Sequence, residues 1–295
     1  MRPRDIPLLL QETALAWYQD RGPRLGAALA FYTLFSIAPL LIIVIAVAAL
    51  AFGREAAQTQ LLQQIETFVG AEGGQVIKAT LEHVSRPRSG ILATLIGLAT
   101  LLFGATVVFS ELQDALNTIW KVPPNPRSDL ILGIIHHRLL SFLMVLGISF
   151  LLLLSIIASS VLTAVMQLFG DILPRPVDWL RSANFILSFV LVTLLFAMIY
   201  KVLPNLDVAW GDVLVGALAT AVLFMAGKYM IELYLGYSTI ASLYGAAGSL
   251  VVLLMWVYYS AQLLYLGAEF TKVYAQHRRQ KIAPQEASDR AGEAP

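Results

Sequence analysis

Of 295 residues, 58% are hydrophobic and only 13% are charged, for a net charge of +1 and no cysteine. Soluble domains carry roughly 25% charged residues, so this chain has too little charge to coat a water-facing surface. It also lacks the basic excess that binds nucleic acid by charge and the thiols needed for disulfides, thiolate zinc sites or a Cys nucleophile.

In chain order, residues 5–20 place Ile6, Leu9, Leu10, Ala14 and Trp17 on one face before a break at Gly22-Pro23, the pattern of an interfacial helix in a cytoplasmic stretch 1–24. The first long apolar run begins near Leu25 and is too long for the core of a cleavable signal peptide. Uncharged gaps then mark the spans: 29 residues between Arg24 and Arg54, 22 between Arg88 and Glu111, 32 between Arg138 and Asp171, and 19 between Arg181 and Lys201. A helix needs roughly 20 apolar residues to cross the hydrocarbon core. The fifth gap, Asp212 to Lys228, holds only 15 residues and reaches membrane length if Lys228 snorkels or is paired. The last, 36 residues between Glu232 and Glu269, is interrupted by Gly- and Ser-rich sequence through Gly248 and Ser249, leaving its second half as a span. The expected fold is all-α, a polytopic bundle of about six transmembrane helices within residues 25–275, at about 27–52, 90–110, 139–166, 184–203, 212–234 and 248–270.

The connecting segments are readable as well. Between Arg54 and Ser89, Leu61, Leu62, Ile65, Phe68 and Val69 recur at helical spacing. Gly70, Gly73 and Gly74 interrupt, and Ile77, Leu81 and Val84 resume, which predicts an amphipathic outer helical pair. Residues 276–295 are polar and contain proline, which predicts a disordered cytoplasmic tail. With the N-terminus inside, thirteen Lys and Arg fall in inner segments and seven in outer ones, which favours both termini in the cytoplasm.

Polar residues within spans are costly unless partnered, so they are where function is sought. In the first span Tyr32, Thr33 and Ser36 precede Pro39, which frees the Phe35 carbonyl and kinks the helix. Ser141, Ser155 and Ser159 fall within about 40° of one another on the third span, a stripe that also suits plain helix packing. Tyr259, Gln262 and Glu269 share a stripe on the last span, and Lys201, Asn205, Trp210 and Asp212 cluster where the fourth span ends and the fifth begins. Lys201 is suited to an anionic head group, while Tyr32, Ser36, Pro39, Tyr259 and Gln262 are suited to lining a path, with Glu269 toward the cytoplasmic edge. The four histidines show no three-ligand metal spacing, and no phosphate-cradling loop or nucleophile elbow is present, so no metal and no cofactor is expected.

Certain motifs carry a resemblance. Phe31-Tyr32-Thr33-Leu34-Phe35-Ser36 with Pro39 is similar to the opening signature of the YihY/BrkB family of bacterial inner-membrane proteins. Leu203-Pro204-Asn205 with Trp210-Gly211-Asp212 and Gly216-Ala217 fits the same pattern, as does Tyr244-Gly245-Ala246-Ala247-Gly248-Ser249 with Leu254-Met255-Trp256-Val257-Tyr258 and Gly267-Ala268-Glu269. The resemblance covers about Gly26 to Tyr274 and implies a six-helix protein of the inner membrane with membrane lipids as its surroundings. It implies no settled activity. The ribonuclease label the family has carried is not supported, because neither a basic channel nor an acid/base or metal site is present. Gly211 stands where the family often has a basic residue, which removes the phosphate contact such a residue would imply.

Matching elements, Pro39 with Pro204 and Gly97-Leu98-Ala99-Thr100 with Gly216-Ala217-Leu218-Ala219-Thr220, are consistent with an inverted repeat of three spans, a transporter design. Two function classes follow ahead of any enzyme. One is a transporter or translocator of a lipid-like, amphipathic substrate, and the other is an envelope scaffold acting through partners. A membrane-bound hydrolase or nuclease ranks last. The sequence identifies no protein partner and no oligomeric state.

Overall fold

The structure, a computed structural model, describes residues 6–53, 55–63, 66, 77, 78, 104, 107–123, 143, 144, 146–155, 157, 158, 160–162, 164, 176–237 and 248–292. Its five main elements are all helices: α1 (Ile6–Gln19), α2 (Gly22–Phe52), α3 (Pro176–Val202), α4 (Trp210–Tyr237) and α5 (Gly248–Gly292). Helical segments also occupy 55–63 and 107–119, and an apolar helix runs over Leu146–Leu162. Among the described residues three stretches are long and apolar enough to cross a membrane, namely Ser182–Val202, Trp210–Ile231 and Leu250–Gln280. A fourth is added if the two arms of α2 are one span. Of the second expected span, 90–110, only residues 104 and 107–110 are described, all helical, and most of the outer pair lies outside the described residues.

Proline explains the shape of α2. Pro39 sits inside the helix, and the arms Gly22–Ile37 and Pro39–Leu50 diverge by 54°. Its ring displaces the preceding turn and it has no N–H for the bond four residues back, so the helix bends there. Pro23, by contrast, lies in the first turn of α2, where no N–H is needed. The chain reverses one step before the expected Gly22-Pro23 break, at Asp20 and Arg21.

Packing is organised by α5, which contacts α1, α2 and α4, while α3 packs on α4. The α4–α5 pair runs antiparallel, and its register is visible where glycines receive the facing hydroxyls. A Cβ at Gly216 would lie 1.8 Å from Thr271 Oγ1, and one at Gly267 would lie 1.9 Å from Thr220 Oγ1. Only the absence of a side chain allows this approach, which in a bilayer replaces hydrophobic drive as the source of helix association. Tyr200 of α3 closes the same layer, donating to the Leu264 carbonyl at 2.7 Å and lying 3.0 Å from Thr220 Oγ1. A second cluster joins Leu41, Val44 and Ile45 of α2 to Leu61, Ile77 and Leu253, which seats part of the outer segment against the bundle.

The outside of the bundle is apolar. Leu214, Leu218 and Val222 on α4, Phe185, Ile186 and Val190 on α3, and Phe31, Phe35 and Leu50 on α2 are all exposed. So much exposed apolar surface is stable only against lipid. On α1, Leu9 and Thr13 are buried while Ile6, Leu8, Leu10, Leu15 and Tyr18 are exposed, so its bundle-facing stripe is narrower than the expected one. Of the expected serine stripe, Ser155 is buried, as is Ser149 beside it, and Ser141 and Ser159 lie outside the described residues.

The end of the chain differs from expectation. Residues 276–292, read from composition as disordered, continue α5 to Gly292. Gln, Arg, Lys, Glu and Ala are strong helix formers, and extending an existing helix avoids the cost of nucleation.

Candidate functional site

One end of the bundle gathers the charge that the helices otherwise lack. The turn from α1 to α2 ends in Arg21 at φ 56, and segment 107–119 ends in Lys121 at φ 54. Among the described residues these are the only non-glycine positions with positive φ. Left-handed backbone at a residue with a Cβ costs on the order of 1–2 kcal/mol, and such strain collects where the surrounding structure dictates the geometry. At Lys121 the dictating feature is a helix C-cap: Lys121 N donates to the Thr118 carbonyl at 3.1 Å and Val122 N to the Asn117 carbonyl at 2.9 Å.

That cap leaves the Ile119 carbonyl free, and Lys272 of α5 takes it at 2.9 Å. The same ammonium donates to Asp20 Oδ2 at 3.2 Å and forms an ion pair with Glu269 Oε2 at 2.5 Å, so it joins groups from three parts of the chain. Lys121 completes the cluster by pairing with Asp20 Oδ1. The side chains of Asp20, Lys272 and Glu269 are 8%, 9% and 0% exposed, whereas that of Lys121 is 64% exposed, so one arm of the network faces water and the rest is sealed. Burial alone pushes the Asp20 carboxyl up. The hydrogen bond from Lys121 and the charge and hydrogen bond of Lys272 outweigh this and hold it below its ordinary value.

Five of the residues singled out in sequence come to this end. Glu269 is part of the cluster itself. Asp212, buried in the first turn of α4, receives a bond from Arg278 Nη1 at 3.0 Å. A Cβ at Gly211 would lie 2.9 Å from the same Nη1. The Arg278 guanidinium from α5 thus occupies the space a side chain at Gly211 would fill. Lys201 donates to Asp207 Oδ1 at 2.6 Å and the Val208 carbonyl at 2.8 Å, and stands 5.7 Å from the centroid of the exposed Trp210 ring. Asn205 N donates to Asn117 Oδ1 at 2.8 Å, while Gln113 Nε2 donates to the Leu203 carbonyl at 2.9 Å and Asn205 Oδ1 at 3.2 Å. These bonds tie the α3–α4 loop to segment 107–119.

The remaining five do not converge there. Tyr32 and Pro39 belong to the bend of α2, where Phe31 forms edge-on ring pairs with Tyr32 and Phe35 at 5.7 and 5.0 Å. Ser36 faces inward, is 1% exposed, and its hydroxyl has no hydrogen-bond partner among the described residues. Tyr259 and Gln262, one turn apart, point to different neighbours. A Cβ at Gly227 of α4 would lie 2.4 Å from the Tyr259 hydroxyl, and one at Gly26 of α2 would lie 1.9 Å from Gln262 Nε2. The single path expected to join them is therefore two helix interfaces on either flank of α5.

Sequence reading missed Asp20, Lys121, Lys272, Gln113 and Arg278. Asp20 and Lys121 follow helix ends, whereas Gln113, Lys272 and Arg278 lie inside helices, and no pattern in the sequence sets these five apart.

The profile of the family described as Virulence factor BrkB matches residues 14–292. Similar curated proteins are named UPF0761 membrane proteins. The one from Azotobacter vinelandii is 27% identical over 90% of this chain and 62% of its own length. The Legionella pneumophila relative is 28% identical over 89% and 61%, and the Photobacterium profundum relative 29% identical over 90% and 80%. The chain thus spans about three fifths of the Azotobacter and Legionella proteins. No solved structure matches. With the match running from α1 through the whole of α5, the chain belongs to the Virulence factor BrkB family of membrane proteins.

Proposed function

We propose that this is a multi-pass protein of the bacterial inner membrane, with about six spans and both termini in the cytoplasm, that moves an amphipathic, lipid-like substrate without chemically altering it. The observation that carries the reading is the 54° break in α2. A helix broken at membrane depth leaves a backbone acceptor in a medium that cannot satisfy it, so such breaks persist where they border a cavity or a packed polar partner. One turn before Pro39 stands the buried, unpartnered Ser36 hydroxyl, and the aromatic edge of Phe31, Tyr32 and Phe35 flanks it on the lipid side. A lipid needs this mixture, since its head group requires partners and its tails remain in the bilayer. Lys201, Asn205 and Trp210 would meet the head group where the route ends, with Asp212 buried behind them on Arg278. The Lys201–Asp207 pair is open to competition, because Asp207 is 98% exposed and exposed pairs are weak.

The scaffold reading has its own support. Tyr259 and Gln262 occupy packed glycine interfaces, as interhelical contacts do. Reconstitution separates the two. In vesicles of phosphatidylethanolamine and phosphatidylglycerol, a head-group-labelled lipid should cross several-fold faster with the protein than without it. Pro39→Ala should reduce that rate. Crossing no faster than in empty vesicles would leave the scaffold reading standing.

A further inference from the structure

We infer that the Asp20–Glu269 carboxyl pair, bridged by Lys272, binds one exchangeable proton, which reaches it along water held by the face of α5 that carries Gln262 and Tyr265. This goes beyond translocation and does not depend on it, since the site is defined by contacts other than those proposed for the lipid route.

The geometry begins with spacing. Gln262, Tyr265 and Glu269 lie at intervals of three and four residues on α5, within about 60° of one another and over roughly 10 Å of helix rise. All three present shielded polar atoms with no hydrogen-bond partner among the described residues: both amide atoms of Gln262, the Tyr265 hydroxyl and both Glu269 oxygens. Tyr265 and Glu269 are wholly buried. Such orphans cost about 1–3 kcal/mol each, and buried polar groups are almost always satisfied, if not by protein then by ordered water with two to four bonds. The indole N–H groups of Trp17 and Trp120, directly before the Asp20 and Lys121 turns, are unpartnered in the same way and extend the row of groups seeking water.

Charge points to the proton. Facing Glu269 are Asp20 from the α1–α2 turn, Lys121 from the end of segment 107–119, and Lys272 from α5 itself. Segment 107–119 also carries Glu111, and α3 presents Tyr200, already bonded to the Leu264 carbonyl. At this end α4 presents Asp212, already paired with Arg278, and Arg21 and Arg24 at the start of α2 are exposed. Lys272 donates to Asp20 and to the Ile119 carbonyl, and its contact with Glu269 is an ion pair that satisfies neither Glu269 oxygen by a hydrogen bond. Two buried carboxyl groups, Asp20 and Glu269, thus share one buried ammonium, and carboxyls held on one cation titrate as a unit. One proton on the pair balances the buried charge. Uptake transfers that proton from a hydronium in the water file to a carboxyl oxygen, and release returns it to water; no electron moves.

The test uses the full chain in phosphatidylethanolamine/phosphatidylglycerol vesicles. Infrared difference spectra between acidic and neutral buffer should show a carboxylic C=O band that shifts in deuterated water, is lost in Glu269→Gln and is kept in Glu55→Gln. A band unchanged in E269Q overturns the proton site. Should E269Q not incorporate, Asp20→Asn is read the same way, with loss or shift of the band expected and an unaltered spectrum overturning the site. Hydroxyl-radical footprinting of the unmodified protein tests the water directly. Tyr265 and Tyr200 are equally buried, but only Tyr200 has its hydroxyl satisfied. Tyr265 should be oxidised several-fold faster, and equal protection of the two overturns the water file.

Discussion

Lys272 and Asp20 stand 252 positions apart and are joined across 3.2 Å by a buried ion pair. The pair pins the α1–α2 turn to α5. Through the Ile119 carbonyl and Lys121 it also pins the end of segment 107–119.

Removing the hub should therefore loosen three elements at once. Lys272→Met leaves Asp20 and Glu269 buried without their shared cation, and breaking a buried pair from one side costs about 3–5 kcal/mol. Thermal unfolding in detergent, followed by fluorescence-detected size exclusion, should show a marked fall in midpoint. The double variant Lys272→Met/Glu269→Gln should recover part of it, because the stranded charge is gone as well. A double variant as weak as the sum of both singles would contradict this account.

Acid should act through Asp20. Its folded value lies below the ordinary 3.8. It therefore stabilises the fold at pH above 3.8, and that contribution is lost as pH falls through the depressed folded value. The midpoint gap between the parent protein and Asp20→Asn should stay constant from neutral pH down to about 4 and close below it. A gap that widens with acid would reverse the sign and refute the assignment.

At the α4–α5 interface, Gly267→Ala drives a methyl against Thr220 Oγ1, 1.9 Å away, and toward the Tyr200 hydroxyl at 2.5 Å. Overpacking of this kind costs about 1–3 kcal/mol. Adding Thr220→Ala should restore part of the stability but not all, since Tyr200 remains. Full tolerance of Gly267→Ala alone would mean that the helices separate freely there.

Pro39→Ala should straighten α2. The chain has no cysteine, so spin labels at Ala27 and Ala46, both exposed and on opposite arms of the bend, report the angle directly. Their mean separation should lengthen in the variant. An unchanged distance would place the cause of the bend in the neighbours rather than in the proline.

Topology is checked by the same freedom from cysteine. A cysteine at Gln58 should react with an impermeant reagent from outside the cell, and one at Gln285 only after permeabilisation. Labelling of both from outside would invert or break the proposed arrangement.

What the sequence determined by itself was everything that acts within one helix. Uncharged runs of 19 to 29 residues marked α2 and α3 as apolar because a bilayer demands that length. Pro39 located the bend, because a missing N–H is a local defect. Asp212 and Glu269 were visible as charges at the ends of apolar stretches, and the family motifs were visible as strings. Tertiary structure alone decided how those helices meet. Periodicity put Tyr259 and Gln262 on one stripe, yet a stripe one turn wide can straddle two neighbours, and here one residue faces Gly227 and the other Gly26. The cation beside Gly211 is Arg278, which no local pattern connects to it. Asp20 looked like an ordinary charge beside a helix end and Lys272 like one just past an expected span, until the packing of α5 brought them together. Such pairing depends on crossing positions and register between helices far apart in the chain, and the composition of either one carries no record of them.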